Sequence, residues 1–203
     1  MSLILIRHGE TALNAARVMQ PEETPLSATG LRQAEALARR VASLGPAALV
    51  SSDLPRAWRT AQAIASASGL DITASGLLRE RNFGDLRGLP YDTLGFDPLA
   101  MSGAPAGGES AADFAERIAQ AFAWLVQRRA AANGPLAVVT HGLVIHEVLA
   151  RHAGLAQAQV PVRIANASIT LIDAQPPHAV ALLDCTLHLQ AGAQGAADGL
   201  SGG

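Results

Sequence analysis

Four consecutive aliphatic residues, Leu3-Ile4-Leu5-Ile6, run directly into Arg7-His8-Gly9, and the arrangement returns late in the chain as Leu136-Ala137-Val138-Val139-Thr140-His141-Gly142. A short unbroken apolar run of this kind is a strand buried on both faces, such as occupies the middle of a parallel sheet between helical layers. Open α/β sheets place their ligand crevice beyond the carboxyl ends of the strands. Two core strands that each end in His-Gly therefore carry two imidazoles to one edge of the sheet, where they can converge on a single point.

The segments between them alternate in period. Ser27 reads as an N-cap, and Leu31, Ala34, Leu37, Val41 and Leu44 recur at helical spacing until Gly45-Pro46 stops the helix. Ala47 to Val50 is a second buried strand, followed by a helix that carries Arg56 and Arg59 and continues to Gly69. Asp71 to Ser75 is short and extended, residues 81–85 form a loop, and residues 95–108 form a longer one punctuated by Gly and Pro. Ser110 with Asp113 forms a capping pattern ahead of a helix whose buried face is Phe114, Ile118, Phe122 and Leu125. Asn133-Gly134-Pro135 ends it, Gly142 opens another helix to about Ala153, and strands follow at 168–172 and 180–183, separated by Pro176-Pro177. The alternation predicts an α/β fold, a three-layer α/β sandwich around a mostly parallel sheet. The 203 residues suit a single domain, assigned to 1–190, with an Ala/Gly-rich flexible tail at 191–203.

Composition removes several classes of function. The apolar fraction is 49% but aromatics are only 3%, so Ala, Leu and Val must fill the core. No window has the apolar length of a membrane span, and no charged-then-apolar leader precedes the first strand, which points to the cytoplasm. A net charge of −2 gives no broad attraction to nucleic acid or anionic lipid, so neither is expected as a partner. The lone Cys185 excludes an internal disulfide and a cysteine-rich metal cluster. All fifteen basic residues are arginines, which rules out a lysine Schiff base and leaves guanidinium, imidazole and backbone N–H as the available anion donors.

The polar residues at the expected strand ends and adjoining loops are Arg7, His8, Asn14, Arg56, Glu80 and His141. Two guanidinium groups beside two imidazoles suit a doubly charged tetrahedral oxyanion such as phosphate. Gly9 and Gly142 are read as removing side-chain bulk so that backbone N–H groups approach the anion, and Asn14 adds one donor. One imidazole can attack phosphorus while the other, when protonated, is placed to stabilise the equatorial oxygens, and Glu80 is the remaining proton carrier. His146 and His152 are six residues apart on one helix, unlike a one-turn zinc pair, and with His178 and His188 they read as structural or surface residues. No metal site is expected.

These residues carry a family resemblance. Leu5-Ile6-Arg7-His8-Gly9-Glu10-Thr11 with Asn14 resembles the signature of the histidine phosphatase superfamily, also called phosphoglycerate mutase-like. Ser51 to Ala57 with Thr60-Ala61 is similar to its second phosphate-binding segment, and Leu78 to Asp85 to its acid-bearing loop. Gly107-Gly108-Glu109-Ser110 resembles the segment before its long helix, and Thr140-His141-Gly142 matches its second histidine. The resemblance runs from about residue 3 to 150. It implies a Rossmann-like α/β/α sandwich, His8 as nucleophile through a phosphohistidine, and Arg7, Arg56 and His141 at the phosphoryl group with Asn14 assisting. It also implies Glu80 as acid and then base, no metal or organic cofactor, and a small phosphate ester as substrate, with a homodimer left open. The chain departs from the pattern at the rim: Pro21 follows Gln20, the loop to Pro25-Leu26 is shorter, and Leu86-Arg87-Gly88 stands where Trp-Glu-Gly is common.

The expected activity is a metal-independent phosphomonoester hydrolase. The alternatives are a phosphoglycerate mutase, or a phospho-ligand-binding regulatory protein without turnover. Residues 89–106, between the acid loop and Gly107, contain no basic residue, which favours hydrolysis over the more enclosed basic pocket of a mutase. Arg17, Arg81 and Arg87 are placed at the pocket rim, where they would meet a second anionic group.

Overall fold

The computed structural model describes residues 2–194. Six strands form one sheet in the order β3-β2-β4-β1-β5-β6. They are β1 (Ser2–Arg7), β2 (Ala48–Ser51), β3 (Ile72–Ala74), β4 (Leu136–Thr140), β5 (Ile169–Asp173) and β6 (Val180–Cys185). The first four are mutually parallel, while β5 lies antiparallel to both β1 and β6. The helices are α1 (Ala12–Ala15), α2 (Ala28–Ser43), α3 (Pro55–Ser68), α4 (Ala111–Ala131), α5 (Gly142–Arg151) and α6 (Leu187–Gln194).

The pleat explains the layers. Leu3 and Leu5 of β1 point to one face with Val138 of β4, and there they meet Phe114, Ile118 and Phe122 of α4 and Val144 and Val148 of α5. Ile4 and Ile6 point to the other face with Leu49, Ala137 and Val139, against Leu37 and Val41 of α2 and Ala57, Ala61 and Ile64 of α3. The expected sandwich is therefore present, with alanines allowing α3 to sit close to the sheet in place of aromatic bulk. Ser27 caps α2 by accepting from Gly30 N at 3.0 Å, and Ser110 caps α4 by accepting from Asp113 N at 3.0 Å.

Three local expectations change. The polar stretch after β1 contains the turn of α1, closed by Thr11 and Asn14, whose side chains bond each other's backbone N–H. The 95–108 loop includes a short 3-10 turn at Pro98–Ala100 capped by Asp97. The tail expected from residue 191 begins inside α6, and residues 195–203 lie outside the described residues.

Candidate active site

Register brings the two histidines together. Arg7 of β1 pairs with Thr140 of β4, so His8 and His141 follow at the next position on adjacent parallel strands. His8 N donates to Thr140 O at 3.0 Å, and on the far side of β4 Ser52 N donates to Val139 O at 2.9 Å. The chain leaves β1 toward α2 on one face and leaves β4 into α5 on the other. The crevice thus opens at a topological switch point, as open α/β sheets dictate.

The imidazole centroids of His8 and His141 are 5.1 Å apart with an interplanar angle of 62°. Both rings are buried, at 1% and 0% exposure; neither lines the neighbouring cavity of about 600 Å³, which is bordered by the residues that adjoin them in sequence, Arg7 and Gly142. Arg7, Asn14, Arg56, Glu80 and Gly142 line that cavity. His8 Nδ1 lies 2.7 Å from Gly9 O, a contact that requires the proton on Nδ1 and leaves the Nε2 lone pair free. His141 Nε2 lies 2.9 Å from Ser52 Oγ, whose hydroxyl also accepts from Leu54 N at 3.3 Å. With the Ser52 proton donated to Nε2, the ring proton of His141 sits on Nδ1, which is buried without a partner. Burial and the guanidinium groups of Arg56 and Arg7 hold both imidazoles well below the ordinary histidine range, so both are neutral near pH 7; His8 itself further lowers His141.

Arg7 and Arg56 are anchored by part of each fork. Arg7 Nη1 donates to Ile164 O, and Arg56 Nη1 donates to Pro21 O at 3.3 Å and Glu22 O at 3.2 Å. The Nε of each remains buried with no acceptor. Burial lowers both guanidinium pKa values, that of Arg56 to about 10, with the Glu80 carboxylate partly offsetting it. Buried, like-charged donors with unspent N–H groups form a site that an oxyanion completes.

Glu80 is held by its neighbours on two sides: Oε2 accepts from Leu143 N at 3.1 Å and Oε1 from Arg81 N at 3.2 Å. Burial raises its pKa, against the opposing pull of those two N–H groups and of Arg56 and Arg7. A carboxyl group so placed is suited to deliver a proton and take one back. Its loop is braced from outside the cavity. Thr140 Oγ1 donates to Leu78 O at 2.7 Å. Arg117 of α4 donates to Leu77 O and Arg79 O at 2.8 and 2.9 Å while forming a two-pronged pair with Glu109.

The two glycines divide in role. A Cβ on Gly142 would stand 3.4 Å from Arg7 Nε, an ordinary contact distance, so the guanidinium lies directly against this glycine. A Cβ on Gly9 would lie 2.5 Å from Gly30 O, and Gly9 N already donates to Thr60 Oγ1 at 3.1 Å. The reading of Gly9 as an anion-approach glycine is therefore corrected: it is small because the start of α2 crosses it.

Asn14 lines the cavity, but its Oδ1 is occupied by Thr11 N and by Asn166 Nδ2. Of the rim arginines, Arg17 and Arg87 line the cavity, and Arg87 pairs with Glu22 at 2.8 Å. Arg81 also borders it, yet is spent on Glu109 O and Gly103 O at 3.2 and 3.1 Å and is buried against Phe83. His146, read as structural, lines the cavity too. Sequence reasoning did not single out Ser52, Tyr91, Arg117, Arg163 or Asn166, because each acts through contacts between segments distant in the chain. Among the described residues, no group of three or more His, Cys, Asp or Glu side chains is placed to hold a metal ion.

Residues 3–183 match the model of the histidine phosphatase superfamily, branch 1. The chain belongs to this family. A probable phosphoglycerate mutase, GpmB, of Salmonella paratyphi C is 36% identical over 186 residues, 86% of each chain. Among solved structures, a mycobacterial glucosyl-3-phosphoglycerate phosphatase in complex with VO3 superposes with a TM-score of 0.74 at 33% identity, covering 85% of this chain and 90% of that one. A putative α-ribazole-5′-phosphate phosphatase from Escherichia coli has a TM-score of 0.79 at 26% identity, covering 91% and 96%. The histidine phosphatase superfamily thus contains both phosphatases and mutase-like proteins similar to this chain.

Proposed function

We propose that this histidine phosphatase superfamily member is a phosphomonoester hydrolase working through a phosphohistidine, with no metal or organic cofactor. The reading rests on one observation above the others: the His8 ring is fixed by Gly9 O with Nε2 free, next to His141 and two buried arginines with unspent Nε–H groups. The Nε2 lone pair of His8 attacks phosphorus in line as the P–O bond to the leaving group breaks. The Glu80 carboxyl transfers its proton to the departing oxygen. Water then attacks phosphorus, its proton passing to the Glu80 carboxylate, while the N–P bond breaks and inorganic phosphate and neutral His8 are regenerated. Arg7, Arg56 and the Nδ1–H of His141 balance the charge on the equatorial oxygens, which is most of what phosphoryl transfer requires. The similar mycobacterial phosphatase, whose structures include VO3 and inorganic phosphate, supports the same chemistry here.

The cavity favours hydrolysis of an ester with a sizeable leaving group. Its 600 Å³ is in the range that holds ligands much larger than glycerate, and water can share that space with a phosphorylated histidine. Similarity to a probable phosphoglycerate mutase supports a second reading, interconversion of 2- and 3-phosphoglycerate. The test is rapid acid-free quenching of enzyme mixed with a chromogenic phosphate ester, followed by ³¹P NMR. A phosphoramidate signal in wild type, absent in His8→Asn, with phosphate release persisting in EDTA, is the expected result. Efficient phosphoglycerate interconversion stimulated by 2,3-bisphosphoglycerate would replace the hydrolase with the mutase. Phosphate binding with no turnover of any ester would leave a regulatory binding protein.

A further inference from the structure

Six arginines border the cavity: Arg7, Arg17, Arg56, Arg81, Arg87 and Arg163. Four are accounted for. Arg7 and Arg56 face the phosphoryl position, Arg87 is neutralised by Glu22, and Arg81 is committed to main-chain carbonyls. Arg17 and Arg163 remain, and among the described residues neither has a carboxylate within 4.0 Å. Both line the cavity together with Tyr91, whose ring lies 6.0 Å from the Arg17 guanidinium.

The backbone fixes Arg17 in this position. It adopts φ 56°, a conformation disfavoured for a residue with a side chain, and its carbonyl accepts from Tyr91 N at 2.9 Å. Val18 bridges to Pro90, and Met19 and Gly88 exchange bonds with Leu89 and Met19 across the same seam. Arg163 approaches from the opposite end of the chain, in the segment before β5, next to Ile164, whose carbonyl anchors Arg7. Two guanidinium groups without an ion-pair partner and a phenol therefore line a cavity that Arg7 and Arg56 already supply with phosphoryl ligands. The acids at the mouth do not cancel them: Asp97 caps its own 3-10 turn through Leu99 N at 3.0 Å, and Asp92 forms no ion pair with either arginine.

We infer that Arg17, Arg163 and Tyr91 form a second anion subsite, so that the substrate is a phosphate ester whose leaving group carries a further carboxylate or phosphate. The inference deepens the hydrolase reading and rests on it. Since the second anion is bound in both ground and transition states, its contribution appears in KM and leaves kcat little changed.

The experiment compares initial rates of phosphate release from phenyl phosphate, 4-carboxyphenyl phosphate, fructose 6-phosphate and fructose 1,6-bisphosphate. It uses wild type, Arg163→Gln and Arg17→Gln, with unfolding midpoints checked for each. Wild type is expected to prefer at least one doubly anionic ester over its singly anionic partner through a lower KM; the carboxylate and bisphosphate arms decide which anion the subsite takes. Each variant is expected to cut that preference, as a ratio of kcat/KM values, by about tenfold or more, the worth of one charge-assisted hydrogen bond. Turnover of phenyl phosphate with no preference in either arm, or a preference unaltered in both variants, would overturn the subsite while leaving the hydrolase standing. Absence of turnover on all four esters would overturn the hydrolase and the subsite together.

Discussion

Replacing Asn166 separates the removal of a contact from its reversal. The Nδ2 group donates to His8 O at 3.1 Å, to Gly9 O at 3.3 Å and to Asn14 Oδ1 at 3.2 Å, linking the loop before β5 to the nucleophile segment. Two of these acceptors are main-chain carbonyls, which settles which end of the amide faces them. Each acceptor also has a second donor: Ala167 N to His8 O, His8 Nδ1 to Gly9 O, and Thr11 N to Asn14 Oδ1. Asn166→Ala thus strands none of them and costs about 1–2 kcal/mol, the net worth of the two N–H groups lost. Asn166→Asp keeps the shape but sets a carboxylate oxygen against three acceptors, and with partial burial this costs about 3 kcal/mol near pH 8. The aspartate's folded pKa is then raised, so the variant is comparatively stable in acid and loses stability as pH rises through that value. Urea unfolding at pH 5.5 and pH 8 measures both effects through the midpoint at constant slope. Asn166→Asp matching Asn166→Ala at pH 8 would refute the assignment of three converging donor contacts.

Wild-type stability itself should fall with acid from about pH 7.5 to 5.5. His8 and His141 have depressed folded pKa values, so protonation of the unfolded chain costs up to about 1.4 kcal/mol per histidine at one unit below its ordinary value, with raised Glu80 opposing the trend only where it titrates. The His8→Gln/His141→Gln double variant should flatten the pH dependence of the urea midpoint. Gly9→Ala drives a methyl group to 2.5 Å from Gly30 O, and thermal unfolding should report a loss of about 2–3 kcal/mol. Arg117→Gln leaves Glu109 unpaired and the acid loop unbraced; the basic limb of the kcat–pH profile, set by Glu80, should shift and stability should fall by about 2–3 kcal/mol, whereas an unmoved profile would reduce Arg117 to a fold-stabilising role. Inorganic phosphate at a hundred times its Kd should raise stability by about 2.7 kcal/mol, and Arg56→Met should abolish that gain.

The parts of the site visible in the sequence are those set by local pattern. An apolar run ending in His-Gly can be read directly, and two such runs of matching sense imply neighbouring strand ends before any coordinate is known. Glu80 and Arg56 follow from the turns after short strands. Contacts made across the fold leave no such trace. Asn166 reaches His8 because β5 runs antiparallel beside β1, and Ala165 N is held by Asp184 Oδ1 at 2.9 Å from the next strand. No spacing in the chain encodes that pairing. Gly9 was misread for the same reason: its constraint comes from Gly30, across the connection to α2, and a glycine beside a catalytic residue looks alike whether it clears a ligand or a helix. Arg81 looked like a rim cation because its type and position fit, but its role is set by the carbonyls of residues 103 and 109 that fold over it.

The arginines of the site are held by segments outside the parallel core. Arg7 and Arg56 repel one another, and Glu80 is the carboxylate that most offsets their burial. Such an arrangement persists only if the backbone holds each guanidinium independently of its charge partner. The parallel strands β1, β4 and β2 pair with one another along their ladders. The extra acceptors come from irregular segments: Ile164 O before the antiparallel strand β5 for Arg7, and Pro21 O and Glu22 O in the shortened loop for Arg56. The segment leading into β5 thus gives the parallel core a carbonyl at the end of β1. Holding each arginine by Nη1 while its Nε stays unpartnered orients the fork before any anion arrives, which lowers the reorganisation needed as phosphoryl charge develops.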